Sequence, residues 1–280
     1  MSARLAEQQA TGRVLMDVPE AEYHRRELGV ASATVLKMLR EKTPAHYRAW
    51  LDAAAEADTP SLLFGRAYHC RVLQPEVYAR TYAVMPAFGD MRSSTSRGRR
   101  DAWLDQHPGM LFLSADDSER IEAMHAALSR HPLAAGIFAE GHAEVTMRWT
   151  DPETSVECKA RHDWFRPAEL VADLKSTDDA GPAAFARSVD RYGYHLQHAH
   201  YIEGAIACGE AVPNFLIVAQ EKEPPYLVAV YQIDAAAELR GYELRARGLQ
   251  TLRHCLDTDT WPGHAPGITE LSLPAWALKD

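Results

Sequence analysis

Leu170-Val171-Ala172-Asp173-Leu174-Lys175 is the stretch on which the reading of this chain turns. Four apolar residues mark a buried strand, yet a carboxylate and an ammonium are set into it two positions apart. Alternation along a strand puts Asp173 and Lys175 on the same face. Upstream, Cys158 to Phe165 is also extended in character and delivers Asp163. A turn at Arg166-Pro167-Ala168-Glu169 brings Asp163 back beside Asp173. Two carboxylates and a lysine then converge on one point. Hard carboxylate oxygens hold Mg²⁺, which keeps several waters, and a lysine orients or activates the attacking water, as metal-assisted phosphodiester hydrolysis requires. The spacing D-x9-D-x-K equally fits a surface Asp–Lys pair near a strand end, so the rest of the chain has to decide.

The chain has 280 residues, 46% hydrophobic and 25% charged, the composition of an ordinary soluble globular protein with a substantial core. No apolar run approaches a membrane span, and Met1 to Ala10 lacks the apolar stretch of a signal peptide, so a cytoplasmic protein is expected. Cys70, Cys158, Cys208 and Cys255 never form C-x-x-C, which argues against a zinc ribbon and leaves no iron–sulphur signature. They read as free thiols, mostly buried. The thirteen histidines show no H-E-x-x-H spacing and read mostly as solvent-facing or core-satisfied. A net charge of −9 argues against a uniformly basic surface, but permits nucleic-acid contact confined to one basic channel.

Residues 1–28 show no firm periodicity and are expected to form a partly mobile arm. Residues 29–140 read as mostly helical. Ser32 caps a helix over Ala33 to Glu41, and Thr43-Pro44 opens another over Ala45 to Ala55. Thr59-Pro60 starts a third, to Leu73, ended by Pro75-Glu76. Gly65 and His69 share one face of it, and a mid-helix glycine implies a close approach, either a tight helix contact beside a core histidine or a functional one. Residues 87–100, with Arg92, Arg97, Arg99 and Arg100, read as a loop, either solvated and mobile or a phosphate-contacting arm. Ser114 caps a helix over Ala115 to Ser129, and a short one follows around Leu133 to Glu140.

From 141 to 256 the pattern becomes α/β. His142 to Thr150 and Val156 to Phe165 read as a hairpin, with Glu144, Thr146 and Arg148 on one face. Leu170 to Lys175 is the next strand. Helices follow over Pro182 to Asp190 and Tyr194 to Cys208, the latter placing Gln197 and Tyr201 on one face. Phe215 to Glu221 and Tyr226 to Ile233 read as strands. A closing helix, Ala235 to Leu256, is expected to turn Leu239, Tyr242, Leu249 and Leu252 inward. The tail, 257–280, is expected to be ordered by packing of Trp261 and Trp276. No repeat or linker divides the chain, so 1–280 reads as a single domain.

The ordered set Phe64-Gly65-Arg66-Ala67-Tyr68-His69, Glu144, Arg161-His162-Asp163-Trp164, Asp173-Leu174-Lys175-Ser176-Thr177 and Gln197-x-x-x-Tyr201 resembles the RecB-type branch of the PD-(D/E)xK nucleases. It is most similar to the RecE-type exonucleases, exonuclease VIII and its phage relatives. Tyr23-His24 through Ser32, Ala45-His46-Tyr47 and Glu221-Lys222-x-x-Pro225-Tyr226 extend the resemblance over roughly residues 20–250. His162 departs from the proline that the family often carries there.

The resemblance implies an α/β PD-(D/E)xK (restriction-endonuclease-like) core, a mixed central sheet flanked by helices with a helical N-terminal portion. It implies a catalytic set of Lys175, Asp173, Asp163, His69, Gln197 and Tyr201. Metal would be held by Asp163, Asp173, the Leu174 carbonyl and His69, with Glu144 on the strand where relatives often carry an acid. The metal would be Mg²⁺, with Mn²⁺ as a substitute and no iron–sulphur cluster. The implied activity is an exodeoxyribonuclease that degrades linear double-stranded DNA from its ends, 5′ to 3′, leaving 3′ single strands for recombination in a bacterial or phage-infected cytoplasm. A ring-shaped homo-oligomer and a single-strand annealing partner are implied by resemblance alone. The core does not encode polarity, so an endonuclease or flap nuclease, or a non-catalytic DNA-binding assembly module, remains the alternative.

Overall fold

Side-chain caps start five of the helices named below: Ser32, Thr59, Ser114, His131 and Asp234 each accept a backbone N–H from the first turn, a contact that contributes about 1 kcal/mol per helix at the Ser, Thr and Asp caps. The computed structural model describes residues 11–54, 59–212, 214–274 and 277. In chain order the elements are β1 (Gly12–Leu15), α1 (Glu20–Tyr23), β2 (Val30–Ala31), α2 (Ala33–Glu41), α3 (Pro44–Asp52), α4 (Pro60–Leu73), α5 (Pro75–Thr81), β3 (Tyr82–Val84), α6 (Ser94–Asp105), β4 (Leu111–Leu113), α7 (Ala115–Arg130) and α8 (Pro132–Ile137). Then come β5 (His142–Thr150), β6 (Glu157–Arg166), β7 (Leu170–Thr177), α9 (Pro182–Arg191), α10 (Tyr194–Ala207), β8 (Asn214–Glu221), β9 (Val228–Gln232) and α11 (Ala235–Thr258).

The central sheet is mixed, in the order β1-β5-β6-β7-β8-β9, with β2 alongside β6. β5, β6 and β7 form an antiparallel meander, while β7 and β8 are parallel. Parallel neighbours need a crossover, and α9 and α10 supply it. One sheet face carries Val145, Met147, Trp149, Ala160 and Val171 and packs on α2, α10 and α11. The other carries Trp164, Ala172, Leu174 and Val218 and packs on α4, α7 and α8.

Strand alternation slips once, at the centre of the β5–β6 pair. Val145 and Met147 face the first cluster, but Ala143 packs on the second. On β6, His162 and Phe165 stack on the same side although they are three residues apart. The slip falls at Glu144, whose φ of 55° is rare for a residue with a side chain. Flanking pairs Ala143↔Trp164 and Val145↔His162 leave Glu144 opposite Asp163. The kink therefore aims two acids at one place.

Several expectations are corrected. Within the arm, residues 12–15 add the edge strand β1 to β5 and Glu20–Tyr23 form α1; residues 1–10 lie outside the described residues. The arginine-rich stretch is not all loop: Arg97, Arg99 and Arg100 lie on α6, held by Trp103 packed on His107 and Phe112. Pro75 both follows one helix and opens the next, α5. Leu239 is 62% exposed, whereas Leu249 and Leu252 are buried as expected, together with Leu244 and Cys255. Among the described residues, nothing outside the backbone of its own helix lies within 4 Å of a Cβ added at Gly65. The close approaches belong to Gly204, against the Trp149 ring, and Gly241, against the His195 carbonyl. Trp261 packs on Tyr47, but the tail beyond it is not packed, with Ile268, Leu271 and Leu273 exposed, while Trp276 and Ala55 fall outside the described residues. Of the histidines, His198 and His200 take the buried alternative.

Candidate active site

Asp163 and Asp173 face each other where β6 and β7 part. Their regular pairing ends at Trp164↔Ala172, and beyond it the Asp163 Oδ2 accepts the Leu174 backbone N–H at 2.9 Å. A side chain thus takes over the ladder bond that the kinked backbone gives up. Asp173 is buried, with its Oδ2 2.5 Å from Lys175 Nζ and its Oδ1 accepting from Gln197 Nε2 at 2.7 Å. Gln197 lies on α10, and its Oε1 accepts from Lys37 Nζ of α2 at 2.8 Å. The aromatic ring of Tyr194 sits 5.1 Å from Lys175 Nζ and 5.3 Å from Lys37 Nζ.

His69 reaches the same spot from α4, its Nδ1 3.7 Å from Asp163 Oδ2. Burial and the Lys175 charge push the imidazole down to about 4, so it is neutral and able to offer a lone pair. It also bonds the Leu174 backbone, which places that peptide group inside the site.

Burial raises both aspartates above the ordinary carboxylate range, with Lys175 opposing the shift. Glu144 is raised as well, to about 8, through burial and the Asp163 charge, with Arg161 opposing from a distance of 3.8 Å. Burial works against the Lys175 ammonium, but Asp173 and Asp163 outweigh it and hold its pKa above the usual lysine range. Three acids crowded in a partly desolvated place call for a cation.

The chemistry of the donors fits a hard divalent ion: carboxylate oxygens, a backbone carbonyl and one neutral imidazole. Asp163 and Asp173 would hold it, with the Leu174 carbonyl, His69 and Glu144 around them. Among the described residues, no three His, Cys, Asp or Glu side chains are yet gathered into an ion-holding cluster.

The structure thus brings Asp163, Asp173, Leu174, Lys175, His69, Glu144 and Gln197 together. Tyr201, one turn beyond Gln197, is a wall residue, with its ring packed on His162 and Phe215. Three of the four arginine side chains are engaged locally. Arg97 donates to the Met91 and Arg92 carbonyls, Arg99 to that of Phe88, and Arg100 pairs with Asp101, while the bond of Arg92 to Asp90 is made by its backbone N–H. Sequence reasoning missed Lys37 and Tyr194. Nothing local marks Lys37, whereas Tyr194, three residues before Gln197 on the same helix, had a spacing that could have suggested it.

A family profile described as a PDDEXK-like domain of unknown function, DUF3799, matches residues 32–272. No curated protein sequence matches the chain. Among solved structures, a candidate exonuclease from Eubacterium rectale superposes with a TM-score of 0.60 at 15% identity, over 94% of this chain and 98% of that one. A phage-related exonuclease from Haemophilus somnus 129PT aligns over 60% of this chain and 84% of that one, at 14% identity and a TM-score of 0.32.

Proposed function

The chain belongs to the DUF3799 family of PDDEXK-like domains, and from that membership and the site geometry we propose that it is a divalent-metal-dependent exodeoxyribonuclease. One observation carries this reading: Asp163 and Asp173 meet at the parting of β6 and β7, with the Lys175 ammonium 2.5 Å from Asp173. A bound Mg²⁺ or Mn²⁺ supplies Lewis-acid polarisation of the phosphate and a more acidic water. Asp163 and Asp173 are its holders, with Glu144, His69 and the Leu174 carbonyl able to complete the set. Lys175, kept charged by its carboxylate neighbours, donates hydrogen bonds to the attacking water and steadies the charge that develops on the phosphate. Gln197 locks the Asp173 rotamer, and Tyr201 backs the wall behind it.

The RecE-type resemblance supports the finer reading. The substrate is the end of a linear duplex, one strand is removed 5′ to 3′, and the 3′ strand left behind passes to an annealing partner. A homo-oligomeric ring would enclose the DNA, in one domain spanning 1–280. Arg92, Arg97, Arg99 and Arg100 would contact phosphates, the last three after exchanging their local bonds. Among the described residues no helix is long and apolar enough to cross a membrane.

The test is digestion of a linear duplex labelled at one 5′ end, beside a covalently closed circle, with Mg²⁺, with EDTA and with Asp173→Ala. Early release of label from the linear duplex alone, abolished by EDTA and by the substitution, is the expected result. Cutting of the circle would make the enzyme an endonuclease. Binding without cleavage would make it a DNA-docking module.

A further inference from the structure

Lys37 is a second lysine of the site, 138 positions before Lys175 in the chain, and no part of the catalytic set described above. It projects from α2, a helix whose Val35 and Leu36 are anchored in the core. Its aliphatic stem lies against Gly193, where an added Cβ would stand 3.2 Å from Lys37 Cγ. Gly193 also has φ +62°, so glycine there serves both the turn into α10 and the seat of the lysine. At the tip, Nζ donates to Gln197 Oε1 and stands over the Tyr194 ring that it shares with Lys175. Lys37, Gln197, Asp173 and Lys175 therefore form a continuous row.

The partner that Lys37 has is a neutral amide. Arg40, one turn further along the same helix, is neutralised by Asp190 at 2.8 Å. An ammonium carries three donors, and Gln197 uses one of them. Burial and the Lys175 charge push Lys37 down to about 8, the behaviour of a cation in want of an anion. An oriented, half-buried ammonium with donors to spare, beside a second ammonium, is a seat for an oxyanion.

We propose that Lys37 is a substrate-contacting residue that donates to a non-bridging oxygen of the DNA phosphate lying alongside Lys175. The proposal rests on the nuclease reading, since it takes its ligand to be the backbone of the strand at that site. Lys37 would hold the strand while Lys175 attends to the reacting phosphate.

The experiment is a salt titration of binding. A labelled linear duplex is titrated with wild-type protein, Lys37→Met and Lys37→Arg in Ca²⁺, between 50 and 200 mM salt, with thermal melts of each protein alongside. Methionine keeps the stem packed on Gly193 and removes the charge. Each neutralised duplex phosphate contributes about 0.9 to the slope of log affinity against log salt. The expected result is that Lys37→Met lowers that slope by about 0.9 and weakens binding about tenfold at the lowest salt, with an unchanged melting temperature. Lys37→Arg should keep the wild-type slope. A wild-type slope in Lys37→Met, with turnover alone reduced, would overturn the proposal and leave Lys37 a prop for Gln197. An altered slope in both variants would also overturn it, because arginine retains the charge. Failure of the wild-type protein to bind or cut DNA would instead overturn the nuclease reading itself.

Discussion

The Asp163 carboxylate accepts the backbone N–H of Leu174 at 2.9 Å, so one acid of the site is fastened to the strand that carries the other. The bond forms where the β6–β7 ladder opens, and it occupies one of the two carboxylate oxygens. Charge and geometry can be separated here. Asp163→Asn keeps an oxygen for the Leu174 amide but loses the charge. It should melt within about 1 kcal/mol of wild type while cleavage falls at least about a hundredfold. Asp163→Ala also orphans a buried N–H, at a cost of about 1–3 kcal/mol. Cleavage assays paired with melting curves read both, and equal activity of wild type and Asp163→Asn would remove Asp163 from the metal-holding role.

Gln197 makes a different contribution, because its amide is oriented from both ends. Lys37 faces its oxygen and Asp173 its nitrogen. The amide therefore cannot flip without setting two acceptors against each other and two donors against each other. Gln197→Ala should free the Asp173 rotamer and lower kcat by about 10- to 100-fold, the usual cost of losing an outer partner of a metal ligand. Gln197→Glu should be worse than alanine at neutral pH, since it sets a further carboxyl directly against Asp173. Steady-state kinetics of the two variants check this, and an alanine variant with full kcat would sink it.

Much of this arrangement is written locally. Thr59-Pro60 opens α4 and so carries His69 to the sheet, and the apolar run 170–174 is a strand whatever surrounds it. Other parts depend on contacts distant in sequence. α6 has no apolar period across its arginines and is held by Trp103 against His107 and Phe112. The +55° φ of Glu144 belongs to the pair of strands, not to either one. Lys37 looks like any helical lysine until α10 arrives 160 residues later. Gly65 was the glycine that drew notice, because it shares a face with His69, yet the helix crossing is made at Gly241.

Gly241 supplies the sharpest stability test. Its place on α11 is so close to α10 that an added Cβ would lie 2.1 Å from the His195 carbonyl oxygen. Backbone cannot swing aside as a flexible side chain would. Gly241→Ala must push the two helices apart, and overpacking of this kind costs about 1–3 kcal/mol or more. At Gly65, which has nothing within 4 Å, alanine should instead stabilise α4 by up to about 1 kcal/mol. Chemical denaturation of both variants gives the comparison, and equal midpoints would contradict the crossing described.

Acid stability should depend on His200. The side chain is fully buried, bonds the Lys159 carbonyl through Nε2 at 3.1 Å, and leaves Nδ1 without a partner. Burial, then the nearby Arg245 charge, pushes it down to about 3. In the unfolded chain its pKa returns to about 6.5. Above that value neither state binds the proton and the full stability is present. Below it the unfolded chain takes up a proton that the folded chain refuses, so stability falls by about 1.4 kcal/mol per pH unit until the folded pKa is reached. Glu144, raised to about 8, works in the opposite sense between pH 8 and its unfolded value of 4.5, so the total curve mixes the two. A variant isolates the histidine: Gln places an amide N–H close to where Nε2 stood and does not titrate. Between pH 6.5 and 4.5, His200→Gln should therefore lose about 2 kcal/mol less than wild type. Urea midpoints across that range measure the difference, and parallel curves for the two proteins would mean that His200 does not stay neutral in the folded core.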